Sequence, residues 1–166
     1  MRRPLGRVAA VVAAALLFLA AGCASVPPAP PHGPVAVWDL DDLTAARTQP
    51  ELGEVLGGQA AEAFRVRGYP VVERQRLAAL LAELELGSGV LADEATRLRL
   101  GRLAGARQMV FGGYQSFGGQ VRVDLRLVDV ETGKILQAAQ GTGPAGDWTA
   151  LLRAADDAAS ALAAGR

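Results

Sequence analysis

Three aspartates close together in the sequence are the first side chains that suggest chemistry. Asp39, Asp41 and Asp42 follow a short apolar run, and carboxylate oxygens are the ligands that Mg²⁺ and Ca²⁺ prefer in proteins. Asp39 and Asp41 alternate with Trp38 and Leu40, however, as the solvent-facing residues of a strand do. The segment also lacks the glycine turn and the ligand spacing of a calcium loop. We therefore expect a solvated acidic strand end and no metal site, and a metal-dependent enzyme at this edge is the minor alternative.

The single cysteine, Cys23, is the second reactive group. It follows three arginines and an unbroken apolar run of twelve residues from Val8 to Leu19, which is typical of a secretory signal peptide and too short to span a bilayer. The string Leu19-Ala20-Ala21-Gly22-Cys23 resembles a bacterial lipobox. This resemblance implies a signal peptide over residues 1–22, cleavage before Cys23, and acyl chains on its sulfur and amino group, which suffice for stable anchoring. A plain secretory peptide with a spare thiol is the alternative.

Residues 23–34 are predicted to hold the lipidated Cys23 and a proline-rich tether. Five of the eleven residues from Ala24 to Pro34 are proline, so this segment forms an extended spacer of roughly 30 Å. His32 lies within the spacer and has no neighbour in sequence for metal binding or catalysis. The residue after Cys23 is alanine and not aspartate, which favours the outer over the inner membrane. Residues 35–166 are enough for one domain with its own core.

The residue inventory excludes most enzymatic sites. One Cys and one His cannot form an intramolecular disulfide or a Cys-rich zinc centre. The 17 basic and 17 acidic side chains give zero net charge, so the chain lacks the electrostatic footprint of a nucleic-acid-binding protein. Aromatic residues make up only 5% of the chain, which leaves few walls for a small-molecule pocket. We expect no catalytic residue, no cofactor and no small-molecule substrate.

Periodicity along residues 35–166 predicts a mixed α/β fold. Apolar and alternating runs predict strands over 35–40, 69–73, 109–117, 121–127 and 135–139, and helical spacing predicts helices over 52–64, 77–84, 93–103 and 148–163. Gly118-Gly119 and residues 131–134 predict tight turns, and Asp93 and Asp147 are expected helix N-caps. The early crossover helices and the late antiparallel strands together predict a mixed parallel and antiparallel sheet covered by helices.

Two local patterns refine the first predicted helix. Thr48 and Glu51 have the spacing of a capping box, with Pro50 between them in the first turn. Gly57-Gly58 would let the helix backbone approach a neighbouring element closely.

One strand face carries a second set of candidate functional residues. Residues 121–127 alternate strictly, so Arg122, Asp124 and Arg126 share one face. A solvated, charged face is the common meaning of such a pattern. The three side chains are nevertheless the candidate partner-binding face of the domain.

Four strings, in their order, resemble the CsgG/FlgO-like group of envelope lipoproteins, whose domain is related to the amino-terminal domain of TolB. They are VAVWDLDD, YPVVERQRLAALLAELEL, DEATRLRLGRLAGARQMVFGGYQSFGG and VRVDLRLVDVETGKIL. The resemblance covers about two thirds of the chain that follows the signal peptide. It implies a mixed α/β domain over residues 35–166 and a non-enzymatic role in building or holding envelope machinery.

The chain departs from the pore-forming members of this group. Those members carry two long hairpin insertions that form a transmembrane barrel, whereas this sequence has tight turns at 118–119 and 131–134. The pore function is therefore not expected here. What remains is similar to FlgO and to the LpoB-type activators of peptidoglycan synthases.

The sequence thus leads to an anchored, non-enzymatic envelope protein on the periplasmic side of the outer membrane. The resemblance implies an assembly or interaction role in a flagellar, curli-like or other appendage or secretion apparatus. Two alternatives stay open, namely an activator of a peptidoglycan synthase and a ring-forming secretion component without a barrel of its own. The expected partners are the membrane, an envelope protein and further copies of the chain, and nucleic acid is not among them.

Overall fold

The computed structural model describes residues 32–44, 51–84 and 93–165. Its elements in chain order are β1 (Val35–Val37), β2 (Asp41–Asp42), α1 (Leu52–Val66), α2 (Arg74–Glu83), α3 (Glu94–Leu103), β3 (Gln108–Phe117), β4 (Gln120–Asp129), β5 (Ile135–Pro144) and α4 (Trp148–Ala163). The predicted fold class, a mixed sheet covered by helices, is confirmed. The predicted signal peptide, the Cys23 anchor and most of the tether lie outside the described residues.

The sheet is parallel at one edge and antiparallel at the other. Its strand order is β1-β3-β4-β5, and β2 also pairs with β3. β1 and β2 run parallel to β3, while β3, β4 and β5 form an antiparallel meander. The predicted hairpin turn is confirmed, because Gly118 and Gly119 adopt φ values of 58° and 77°, which a two-residue turn of this kind requires.

The first predicted strand, 35–40, is interrupted. The chain leaves the sheet between β1 and β2, and the Leu40 N–H donates to the Gly53 carbonyl at 3.1 Å. A Cβ at Gly53 would lie 2.0 Å from the Leu40 carbonyl oxygen. Leu40 is therefore buried against α1, because glycine at position 53 lets the helix touch the backbone here. Gly57 also lies close to this segment, as predicted, since a Cβ at Gly57 would lie 3.2 Å from the Trp38 carbonyl oxygen. A Cβ at Gly58 would have no neighbour within 4 Å.

Two further predictions about strands were wrong in extent. Residues 69–73 contribute only one bridge, from Val71 to Val35, because α2 begins directly afterwards at Arg74. The last strand continues past 139 to Pro144. Gly141 and Gly143 lie in this longer strand, and α4 packs directly on their backbone.

The helix ends follow simple capping chemistry. The Asp93 carboxylate accepts from the N–H groups of Ala95 and Thr96, and Asp147 caps α4, so both predicted caps are confirmed. The structure begins α1 at Leu52 with Glu51 as the N-cap residue, which makes no side-chain cap bond. The other predicted members of that capping box, Thr48 and Pro50, lie outside the described residues.

Two separate cores lie on the two faces of the sheet. The face that we call the inner face carries Val121, Val123, Leu125 and Leu127 and is covered by α1 and α4. The outer face carries Met109, Phe111 and Val128, and α2 and α3 cover it only at this end, through side chains that include Leu77. The solvated face expected from the alternation of β4 is therefore the uncovered half of the outer face.

Candidate functional site

An open groove occupies the uncovered half of the outer face. It has a volume of about 520 Å³, and its floor is formed by parts of β3, β4 and β5. Small residues keep this floor low, since Gly113 of β3 and Ala138 of β5 flank the charged side chains of β4. The residues that line it are Asp41, Leu43, Gly112, Gly113, Arg122, Asp124, Leu125, Arg126, Ala138, Ala139 and Gln140.

The predicted charged face of β4 lines this groove. The burial of β4 alternates along the strand, with Arg122, Asp124 and Arg126 half-buried between buried apolar residues. Arg122 donates through Nε and Nη2 to Asp124 Oδ1, at 2.8 Å and 2.6 Å. Arg126 donates to the Glu94 carboxylate at the start of α3. The charges on this surface are therefore arranged as ion pairs between neighbouring side chains.

Arg97 is a member of this site that the sequence analysis missed. It lies on α3 and is buried, with a relative exposure of 9%, and its guanidinium lies 5.3 Å from the centroid of the Phe111 ring. The Arg126 guanidinium lies 5.9 Å from the same centroid. Arg97 Nη1 contacts Asp41 Oδ2 at 3.5 Å. No pattern in the sequence marks Arg97, since it is one arginine among several in a polar helix.

The two guanidinium groups lack part of their hydrogen bonding. Among the described residues, Nε of Arg97 and Nε of Arg126 are buried without a hydrogen-bond partner. Both groups instead rest on the ring of Phe111, where cation–π attraction offsets some of the cost of burial. Phe111 therefore organises the wall where α3 meets the groove.

The three clustered aspartates, Asp39, Asp41 and Asp42, do not converge on one point. Asp39 turns to α2 and pairs with Arg74 Nη2 at 2.9 Å. Asp41 is paired in register with Gly113 and faces the groove, whereas Asp42 is paired with Tyr114 and accepts from the Thr44 N–H at 2.8 Å. Because adjacent strand residues point to opposite faces, these carboxylates cannot share one ion.

Burial changes the acid–base behaviour of two groups near the strand ends. Desolvation raises the pKa of Asp39, and the nearby Arg74 opposes that rise. Burial also raises the pKa of Tyr114 to about 12, with the neighbouring Asp42 adding to the effect. A Tyr114 pKa of about 12 leaves its hydroxyl protonated at physiological pH.

The described residues contain neither a cluster of metal ligands nor a helix that could cross a membrane. Within residues 32–44, 51–84 and 93–165, no three His, Cys, Asp or Glu side chains come together as metal ligands would. Over the same ranges, the helices are too short or too polar to cross a membrane. The predicted lipidation site Cys23 and the lipobox residues Leu19, Ala20, Ala21 and Gly22 lie outside the described residues.

The fold and the groove together define a class: an α+β domain with one open, ion-paired sheet face. The model of the family described as FlgO protein matches residues 13–147, which is most of the chain, and the chain belongs to this family. This membership groups it with non-enzymatic proteins of the bacterial envelope. A comparison with curated protein sequences gave no match.

Solved structures share this fold at low sequence identity. The LpoB C-terminal domain from Salmonella enterica is similar at TM-score 0.56 and 18% identity, with 71% of this chain and 87% of that chain covered. A PelC dodecamer from Paraburkholderia phytofirmans is similar at TM-score 0.55 and 20% identity, with 83% and 93% covered. Lipoprotein GNA1162 from Neisseria meningitidis gives TM-score 0.52 and 16% identity, with 70% and 83% covered. At these identities the likeness concerns the fold alone.

Proposed function

We propose that this chain is a lipid-anchored accessory protein of the bacterial envelope that acts by binding another protein through the groove on its outer face. The observation that carries this proposal is the groove itself. It is open and shallow, and its charged side chains are paired in three arginine–carboxylate contacts. Such a surface suits a protein partner with a complementary arrangement of charges. Complementary charges across an interface determine which partner binds more than how tightly it binds.

The anchor in this proposal is Cys23. Family membership supports it, as does the position of the single cysteine directly after Leu19-Ala20-Ala21-Gly22. Lipid attachment there holds the domain on the periplasmic side of the envelope, and the alanine after Cys23 favours the outer membrane. The partner is then a component of an appendage, of a secretion apparatus or of the cell-wall machinery.

The anchor is tested by labelling cells with radioactive palmitate. The full chain is expected to take up label, and a Cys23→Ser variant is expected to take up none. A variant of the proline tether, Pro30→Ala, is the matched control, because it leaves the lipobox unchanged and should label like the native chain. Equal labelling of the Cys23→Ser variant would overturn the anchor.

The groove is tested with a photo-crosslinking residue placed at one of two positions. Gln140 lies in the groove, whereas Asp157 is exposed on α4, which packs on the opposite face of the sheet. We expect a crosslinked species of one defined mass from position 140 and not from position 157. Exchanging the charges of one ion pair, by Arg122→Asp with Asp124→Arg, should remove that species and leave the thermal unfolding of the domain nearly unchanged. If the crosslinked species persists after this charge exchange, or forms equally from position 157, the groove is not the binding site.

Similarity of fold to two solved structures favours two other functions. The fold likeness to the LpoB C-terminal domain favours an activator of a peptidoglycan synthase, in which the groove would bind the enzyme. The fold likeness to a protein solved as a dodecamer favours a ring-forming component. Identification of the species crosslinked from position 140 separates these functions, because a synthase, a second copy and an appendage component differ in mass and sequence.

A further inference from the structure

We infer that copies of this chain join edge to edge, with the first half of β5 pairing against the segment around Val71 of the next copy. This inference deepens the proposed function and rests on it for the orientation of the anchor. It concerns the two ends of the sheet, not the groove.

The β5 edge is long and uncharged. None of its ten residues, from Ile135 to Pro144, carries a charge, and the described residues place no further strand beyond it. Ile135 and Leu136 are exposed by 59% and 47%. Native edge strands usually carry charges that prevent pairing with another chain, so an uncharged edge with exposed apolar residues is suited to be covered.

Backbone groups of β5 point outward in a known pattern. The two-residue turn after Phe117 fixes Phe117 and Gln120 as a hydrogen-bonded pair, and bonding alternates from there along antiparallel strands. By the register of β4 with β5, Ala139 and Gly141 bond to β4. The N–H and C=O groups of Ala138, between them, therefore point away from β4. The N–H of Ile135 also points outward, because the Lys134 carbonyl of the same peptide group accepts from the Asp129 N–H and so faces β4.

The other edge of the sheet offers a complementary segment. The Val35 N–H donates to the Pro70 carbonyl at 2.9 Å, and the Val72 N–H donates to the Val35 carbonyl at 2.8 Å. These two bonds turn Pro70 and Val72 toward β1. The backbone N–H and C=O of Val71, between them, consequently point away from the sheet.

The two edges run in the same direction. β5 is antiparallel to β4, β4 is antiparallel to β3, and both β1 and the bridge at Val71 are parallel. A copy that adds its Val71 segment to β5 thus keeps the orientation of the first copy. Every tether then leaves from the same end of the assembly, as anchorage in one membrane requires.

The two edges also lie at the same height in the sheet. Val71 bridges to Val35, Val35 pairs with Gln108, and Gln108 pairs with Asp129. The Asp129 N–H donates to the Lys134 carbonyl, directly before β5. The exposed start of β5 is therefore level with Val71, and copies can join with little stagger.

A second copy fits this geometry better in head-to-tail form than as a symmetric pair. Two β5 strands paired antiparallel would place the two tethers at opposite ends, against anchorage in one membrane. Head-to-tail contacts close into rings when the rotation between copies allows it. Each contact is small, since only the segment around Val71 pairs, and confinement by lipid anchors raises the effective concentration of copies.

The test is chemical cross-linking of membranes that hold the full chain with introduced cysteines. With Leu136→Cys and Val71→Cys in one chain, a short bis-maleimide should give a ladder of multimers. Neither substitution alone should do so. Adding Ile135→Pro should abolish the ladder, since proline removes the outward N–H at the height of Val71 without breaking a bond to β4. Ile135→Val keeps that N–H and should leave the ladder unchanged, and thermal unfolding checks that both variants are folded.

Three outcomes would overturn the inference. Dimers from Leu136→Cys alone would show antiparallel pairing, a species containing a different protein would show another occupant, and no cross-link in folded protein would show a free edge. The native chain reports separately on the anchor, because Cys23 cross-links only if its sulfur carries no lipid. Cross-linking of the native chain would therefore contradict the proposed lipid anchor. The dependence of the ladder on Leu136→Cys and Val71→Cys would still test the edge-to-edge contact.

Discussion

Gly141 of β5 lies directly against the backbone of α4, where a Cβ at Gly141 would come within 2.0 Å of the Ala154 carbonyl oxygen. Gly143 has the same relationship to Ala150, at 2.9 Å. Small residues on both sides let the helix rest on the strand backbone. This close contact joins the last two elements of the chain and fixes the inner face of the sheet.

Gly141→Ala is therefore expected to destabilise the domain. The added methyl group meets backbone and not a flexible side chain, so relief requires α4 to move, and overpacking of this kind costs about 1–3 kcal/mol. The free energy of unfolding in urea measures the effect. Gly58→Ala is the matched control, because its Cβ would have no neighbour within 4 Å, and alanine in a helix interior should raise stability by about 0.5–1 kcal/mol. Equal stability of the two variants would contradict this account.

The sequence predicted most elements because their signals are local. The alternation of β4, the glycine pair of its hairpin and the caps Asp93 and Asp147 each act within a few residues. The prediction for β5 stopped at 139, because residues 140–144 contain two glycines and a proline and carry no apolar alternation. Only the tertiary contact of Gly141 with α4 shows why glycine is required there.

The site was predicted in part for the same reason. The charged face of β4 follows from periodicity alone, since Arg122, Asp124 and Arg126 recur at every second position. Arg97 could not be found this way, because its burial depends on Phe111, fourteen positions further along the chain. The partner role of this face stays a prediction, as does lipidation of Cys23.

Arg97→Ala should lower the free energy of unfolding by about 2 kcal/mol, because the buried side chain packs on the Phe111 ring and its loss leaves a void. Arg97→Met should cost less, since it keeps the apolar stem over the ring. Arg99→Ala, on the exposed side of the same helix, should change stability by less than about 0.5 kcal/mol. Chemical denaturation gives the free energy of unfolding of each of the three variants. A large loss in Arg99→Ala would show that α3 is destabilised by any loss of charge and would contradict the role of Arg97 packing.

Acid should weaken the domain through Asp93. Hydrogen bonds from Thr96 hold the pKa of Asp93 below its ordinary value of 3.8. A carboxyl whose pKa is lower in the folded state contributes stability above its unfolded pKa, and that contribution is lost as pH falls through the folded pKa. Thermal unfolding between neutral pH and the acid range should show the native chain losing stability faster than Asp93→Asn, which caps the helix without titrating. Parallel pH curves would contradict the role of this cap.

The N-cap of α4 should contribute more to the domain than its exposed position suggests. Asp147 Oδ1 accepts from the Thr149 N–H at 2.8 Å and from the Ala150 N–H at 3.2 Å, and these donors have no partner within the helix. Asp147→Ala should therefore cost about 1 kcal/mol of unfolding free energy. Asp157→Ala removes an equal charge from the exposed side of α4 without touching a cap, so it should be close to neutral. Equal losses from the two variants would mean that net charge, and not the cap, sets the stability of this helix.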